Sequence, residues 1–92
     1  MRHETLKHVL VETMPDVIED GIIYISQKYG CAIHLCACGC GNKTCMSFQP
    51  EWKDGWILTI KDDKVTFDPS IGNWQFPCKS HYYIRDSQVI WL

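Results

Sequence analysis

The sequence predicts an all-β or β-dominated fold: a small single domain of antiparallel hairpins stapled by a Cys/His zinc site. Three observations carry this expectation. The apolar residues fall in short runs rich in Val, Ile, Thr, Tyr and Trp, separated by turn residues, which is a strand-type periodicity. A chain of 92 residues has room for one core and buries only roughly 60 to 70% of its unfolded surface, so a covalent or metal staple adds useful stability. Six cysteines and four histidines can supply one.

Taken in order, residues 6–12 read as a strand or a short helical turn, ended by Pro15 and Asp16, because proline removes a donor and restricts the residue before it. The pattern of the N-terminal segment 1–19 is the weakest in the expected domain 1–92. Asp20-Gly21 is a turn signal; residues 22–26 form an apolar strand, and Lys28-Tyr29-Gly30 reverses the chain into residues 31–38. Gly39, Gly41 and Asn42 make a tight bend, and residues 44–48 run back as a strand that Pro50 closes. The cysteines thus line a strand-turn-strand corner.

Residues 56–61 and 64–68 form a hairpin around Asp62-Asp63, with Trp56, Leu58 and Ile60 on one face. Residues 69–77, with Gly72 and Asn73 around Trp74 and Phe76, read as a loop folded over the core or the metal site. Residues 81–85 and 88–92 make a last hairpin around Asp86-Ser87. The four tryptophans mainly supply the core area that a small β domain needs.

Charge and composition remove several function classes. A net charge of −2 and a pI near 6.0 leave no basic field for duplex nucleic acid or an anionic membrane, so a zinc-ribbon-like nucleic-acid binder is disfavoured. No apolar run approaches the roughly 18 residues of a membrane span, and Met1-Arg2-His3-Glu4 leads into no signal-type apolar region. The chain therefore reads as cytoplasmic. The cysteine frequency lies below the roughly 8 to 10% of secreted disulfide scaffolds. Five of the six, Cys31, Cys36, Cys38, Cys40 and Cys45, fall so close together that disulfides among them would close only short loops. Such clusters in a reducing compartment point to metal.

The sharpest signal is His34-Leu35-Cys36-Ala37-Cys38-Gly39-Cys40-Gly41. In a continuing strand His34, Cys36 and Cys38 share a face, and Gly39 lets the chain bend so that Cys40 converges on them. The second half is Pro77-Cys78-Lys79-Ser80-His81, where one sulfur and one imidazole stand at ordinary ligand spacing. Sulfur and nitrogen donors in four-coordinate geometry favour zinc over the oxygen-seeking magnesium and calcium. Cys36, Cys38, Cys40, Cys78 and His81 are thus five candidates for four positions. Cys31 and Cys45 lie outside the tight run and are assigned to packing. His34 is open between ligand, substrate-facing group and plain strand residue.

Catalysis by the metal itself has little support: there is no H-E-x-x-H, and no acidic residue adjoins a proposed ligand. The half-motif at Pro77-Cys78 lacks the H-x-E partner of a zinc deaminase, so that activity is rejected. Ser70, Ser80 and His81 permit a serine nucleophile, yet there is no G-x-S-x-G elbow, and neighbours such as Ser80 and His81 point to opposite faces of a strand. Ser80 suits a hydrogen bond to a metal sulfur or a turn amide. As a nucleophile it would have His34 as its base, which makes His34 and Ser80 the catalytic candidates.

The runs Gly21 to Ser26, His34 to Gly41, Trp56 to Thr59, Pro69 to Trp74 and Cys78 to Ile84, with Trp91, resemble a family of small bacterial Cys/His-rich proteins over residues 20–92. That family is encoded beside ubiquitin-activating-like and ubiquitin-conjugating-like enzymes and a multi-ubiquitin-like protein. The resemblance implies a role in a bacterial ubiquitin-like modification pathway, with a ubiquitin-like protein and its conjugation enzymes as partners. The activity implied is a deubiquitinase-like peptidase, zinc-dependent or otherwise, that matures or removes the modifier. The alternative is a non-catalytic zinc adaptor whose exposed tryptophans, Trp52 and Trp74 foremost, dock a partner protein.

Overall fold

Strands form where apolar and polar residues alternate, and the chain reverses where residues tolerate a left-handed backbone. The computed structural model describes residues 2–92; Met1, the first residue of the expected domain, lies outside the described residues. There are eight strands: β1 Lys7–Leu10, β2 Ile22–Ser26, β3 Cys31–Leu35, β4 Lys43–Ser47, β5 Ile57–Lys61, β6 Lys64–Gly72, β7 His81–Arg85 and β8 Gln88–Trp91. They form two four-stranded sheets, β1-β2-β3-β4 and β5-β6-β7-β8, and there is no helix among the described residues. No helix is therefore long and apolar enough to cross a membrane.

The all-β reading holds, with one departure from pure hairpins: β1 pairs with β2 in parallel, and every other ladder is antiparallel. Before β1, the chain runs along the edge of β8, where Leu6 N–H donates to Ser87 O and Val89 N–H to Glu4 O. It then crosses to the first sheet, where Lys7 N–H donates to Gly21 O. This N-terminal segment covers a sheet edge that would otherwise be open to pairing with another chain.

Inward-facing residues of the two sheets make one apolar cluster. Ile23, Ile25, Ala32, Met46 and Phe48 come from the first half of the chain, and Val65, Phe67, Ile71, Tyr82, Ile84 and Val89 from the second. Burying such side chains stabilises by about 1.5 to 3 kcal/mol each, set against the ordering entropy of the chain. Asp62-Asp63 and Asp86-Ser87 close their hairpins with positive φ at both central residues (52° and 61°, 49° and 62°), the geometry of a two-residue type I′ turn.

Two local features differ from the sequence pattern, and both shape the site. First, β3 stops at Leu35, so Cys36 and Cys38 do not continue the strand. Cys36 N–H donates to Asn42 O and Gly39 N–H to Cys36 O, while Gly39 and Gly41 take φ of 90° and 85°. The run of glycines and small residues favours this turn over extension. Second, residues 69–72 are strand rather than loop. Phe67 pairs with Ile84 and Ile71 with Tyr82, so Asp68, Pro69 and Ser70 lie opposite Tyr83 alone. This bulge accommodates Pro69, which has no N–H to give to a ladder.

Candidate active site and metal centre

Four thiols meet where the turn after β3 approaches the loop between β6 and β7. The sulfurs of Cys36, Cys38, Cys40 and Cys78 all lie within 4.8 Å of one another and could hold a metal ion. Cys36 to Cys38 is 3.5 Å, Cys40 to Cys78 is 3.7 Å and Cys36 to Cys78 is 3.8 Å. A tetrahedron of sulfurs about 2.3 Å from a zinc ion has edges of about 3.8 Å. These separations match it, and they are far from the roughly 2.05 Å of a disulfide bond.

Three of the sulfurs also receive a side-chain donor. Asn73 Nδ2 donates to Cys36 at 3.2 Å, Asn42 Nδ2 to Cys40 at 3.3 Å, and the Ser80 hydroxyl to Cys78 at 3.3 Å. Such donors favour the thiolate, the form that binds metal. The Ser80 hydroxyl, more than any other group, holds the Cys78 thiol down at about 6, whereas burial pushes Cys38 up. Without a cation, four adjacent sulfurs cannot all be anionic, so one ionises at the expense of its neighbours. A bound metal would deprotonate them together.

Asn73 is the polar joint of this region and was legible in the sequence only as a turn residue. It is 1% exposed, and its amide group is fully used. Its nitrogen donates to Cys36 and to the Tyr82 hydroxyl, and its oxygen accepts from Thr44 Oγ1 at 3.1 Å. It therefore ties the metal turn to both sheets.

His81 does not join the thiols. β7 begins at His81, whose side chain points to the outer face of the second sheet, and its Nε2 lies 2.8 Å from Ser70 Oγ. Ser70 reaches that face from the bulge in β6. Gly72 pairs with His81 in the ladder, so Ser70 is its diagonal neighbour. Trp74 leans on the imidazole, with ring centroids 4.9 Å apart and planes tilted by 55°. A Cβ on Gly72 would stand 2.4 Å from Trp74 Nε1, so glycine is what lets the indole lie there.

The expected pair His34 and Ser80 is not brought together. His34 lies on β3, faces the core, and has Nε2 2.8 Å from the Tyr82 hydroxyl. That hydroxyl also accepts from Ala37 N–H and Asn73 Nδ2, so His34 is tied into the buried polar group around Asn73. Burial lowers the His34 pKa to about 4. Ser80 is committed to Cys78. Cys31 and Cys45 stand apart from the four-thiol group, on β3 and β4.

A cleft of about 560 Å³ opens beside His81, walled by Trp74, Trp91, Lys79 and Arg2 and floored by Cys38 and Cys78. A hydroxyl hydrogen-bonded to an imidazole at the rim of a cleft is the minimal apparatus of a serine nucleophile with its base. The family model described as "Bacterial ubiquitination-like system serine protease (BubE)" matches residues 10–92. The chain belongs to the BubE family. The match spans Ser70, His81 and all four clustered cysteines. No curated protein and no solved structure matches the chain.

Proposed function

We propose that this BubE-family chain is a serine peptidase of a bacterial ubiquitination-like system, acting on a ubiquitin-like protein to mature or remove it. Ser70 is the nucleophile, His81 is its general base, and a zinc ion held by Cys36, Cys38, Cys40 and Cys78 is structural. The observation that carries this reading is the 2.8 Å contact between Ser70 Oγ and His81 Nε2 beside the cleft.

In the reaction, His81 Nε2 takes the Ser70 proton as Oγ attacks the scissile carbonyl, and returns it to the departing amine. Water then repeats the sequence on the acyl-enzyme, with His81 again as base. Trp74 limits the rotation of His81 and shields one side of the imidazole from water. Zinc with four protein sulfurs has no open position, so when bound it supplies a cross-link. That cross-link sets the loop from Asn73 to Ser80, which ends at His81. Ser80 keeps to its sulfur in this reading. Reduced thiols holding a metal suit a cytoplasmic location.

The adaptor alternative draws on two exposed indoles, Trp52 and Trp74, at 53% and 59% exposure. Trp74 contacts His81, however, and an adaptor has no use for a serine-histidine pair at that spot. The test is incubation with a ubiquitin-like domain carrying a C-terminal extension, scored by intact mass. Cleavage lost in Ser70→Ala and His81→Ala but kept in Ser80→Ala supports the peptidase. Cleavage that survives Ser70→Ala overturns it.

A further inference from the structure

We infer that the cleft beside His81 is a substrate subsite for a carboxylate-bearing side chain, read by Arg2 and Lys79; the inference rests on the peptidase reading above. The cleft is lined by Arg2, Lys79, Trp74 and Trp91 among others, and by no Asp or Glu of the described residues. In a chain with eleven acidic and nine basic side chains, this cleft brings together two cationic side chains and no Asp or Glu.

Arg2 is also placed rather than adrift, and the backbone that carries Lys79 is fixed. The Arg2 guanidinium lies 3.8 Å from the centre of the Trp91 ring, a cation-π contact that holds it on the cleft wall. Lys79 sits at a left-handed backbone position (φ 46°), with its N–H given to Phe76 O, at the turn that leads into His81. Neither cation takes part in an ion pair among the described residues. No carboxylate side chain of the described residues therefore competes with a ligand for them. The planar donors of a guanidinium suit a carboxylate, and the aromatic walls suit the aliphatic stem of Glu or Asp. A peptide bond seated over Ser70 would place a neighbouring side chain in this cleft, so the subsite selects sequence close to the scissile bond.

The test uses the zinc-loaded full chain carrying Ser70→Ala. The probes are labelled octapeptides of Gly, Ala and Leu in which one Asp, Asn or Lys is walked through each position. At one position or two adjacent ones, Asp should bind about tenfold tighter than Lys, and the gap should shrink to about twofold in Arg2→Gln and in Lys79→Gln at unchanged zinc content. Binding that is flat along the walk overturns the inference, as does a gap that survives both substitutions. A gap that closes only when zinc is lost also overturns it, since the two cations would then serve the thiolates. Repeating the walk with Ser70 intact separates the two claims. Cleavage without preference for Asp sinks the subsite alone, and the Asp binding pattern without any cleavage sinks the peptidase reading alone.

Discussion

Ser70 Oγ lies 2.8 Å from His81 Nε2, its diagonal neighbour across the ladder that pairs Gly72 with His81. Gly72, the residue paired with His81, has no side chain to stand between the hydroxyl and the imidazole. Ser70→Ala should therefore lower kcat by on the order of a thousandfold or more while leaving the thermal midpoint nearly unchanged. Ser80→Ala should keep most of the activity and weaken metal binding by about tenfold, read by competition with a chromogenic chelator.

Gly72 and Trp74 give a second prediction. A methyl at position 72 has no room while the indole rests there, so Gly72→Ala should mimic Trp74→Ala. Both should lower kcat by about tenfold with KM changed less, because each loosens the orientation of His81. Trp74→Phe keeps an aromatic face against the ring and should recover most of the loss.

The metal is expected to hold structure and to take no part in bond making. Chelation should unfold the domain, since forming the four-sulfur site is coupled to folding. Replacing zinc by cadmium or cobalt, both of which accept four sulfurs, should leave kcat within about threefold. A change of a hundredfold between metals would contradict a structural role.

Asn73 should be among the costliest single sites to alter. Asn73→Ala strips one donor each from Cys36 and Tyr82 and the acceptor of Thr44, in a fully buried position. Leaving such groups unpaired costs about 1 to 3 kcal/mol each, though the terms are not additive. Urea unfolding of the zinc-loaded protein should register a loss of several kcal/mol.

His34 sets an acid limit. Its pKa is lowered by burial to about 4 in the fold, against 6.5 for the ordinary side chain. The unfolded chain then binds the extra proton between those values. Stability is intact above the ordinary pKa and is lost as pH falls from there to the folded-state value, by up to about 3 kcal/mol. His34→Gln should flatten that part of the stability profile. An unchanged slope between pH 6.5 and 4 would show that other groups carry the acid sensitivity.

Alternation and turn chemistry were enough to place most strands, and the spacing of Cys36, Cys38, Cys40 and Cys78 was enough to gather the four thiols. What the pattern hid has physical causes. Pro69, Gly72, Asn73 and Pro77 make residues 69–77 look like loop, and a bulge that keeps Ser70 in a strand leaves no trace in local periodicity. His81 follows Cys78 at ligand spacing, so sequence cannot tell a fifth ligand from a base. The choice is made by strand polarity, which turns His81 outward while Cys78 stays in the loop. The parallel pairing of β1 depends on a crossover whose path no local signal encodes.

Ser70, activated by His81, is the proposed nucleophile. Its most direct test is treatment of the zinc-loaded protein with a fluorophosphonate, followed by peptide mapping. One covalent adduct is expected, on Ser70, lost in His81→Ala and unaffected by Ser80→Ala. An adduct on Ser80, or labelling of Ser70 that persists without His81, would contradict it.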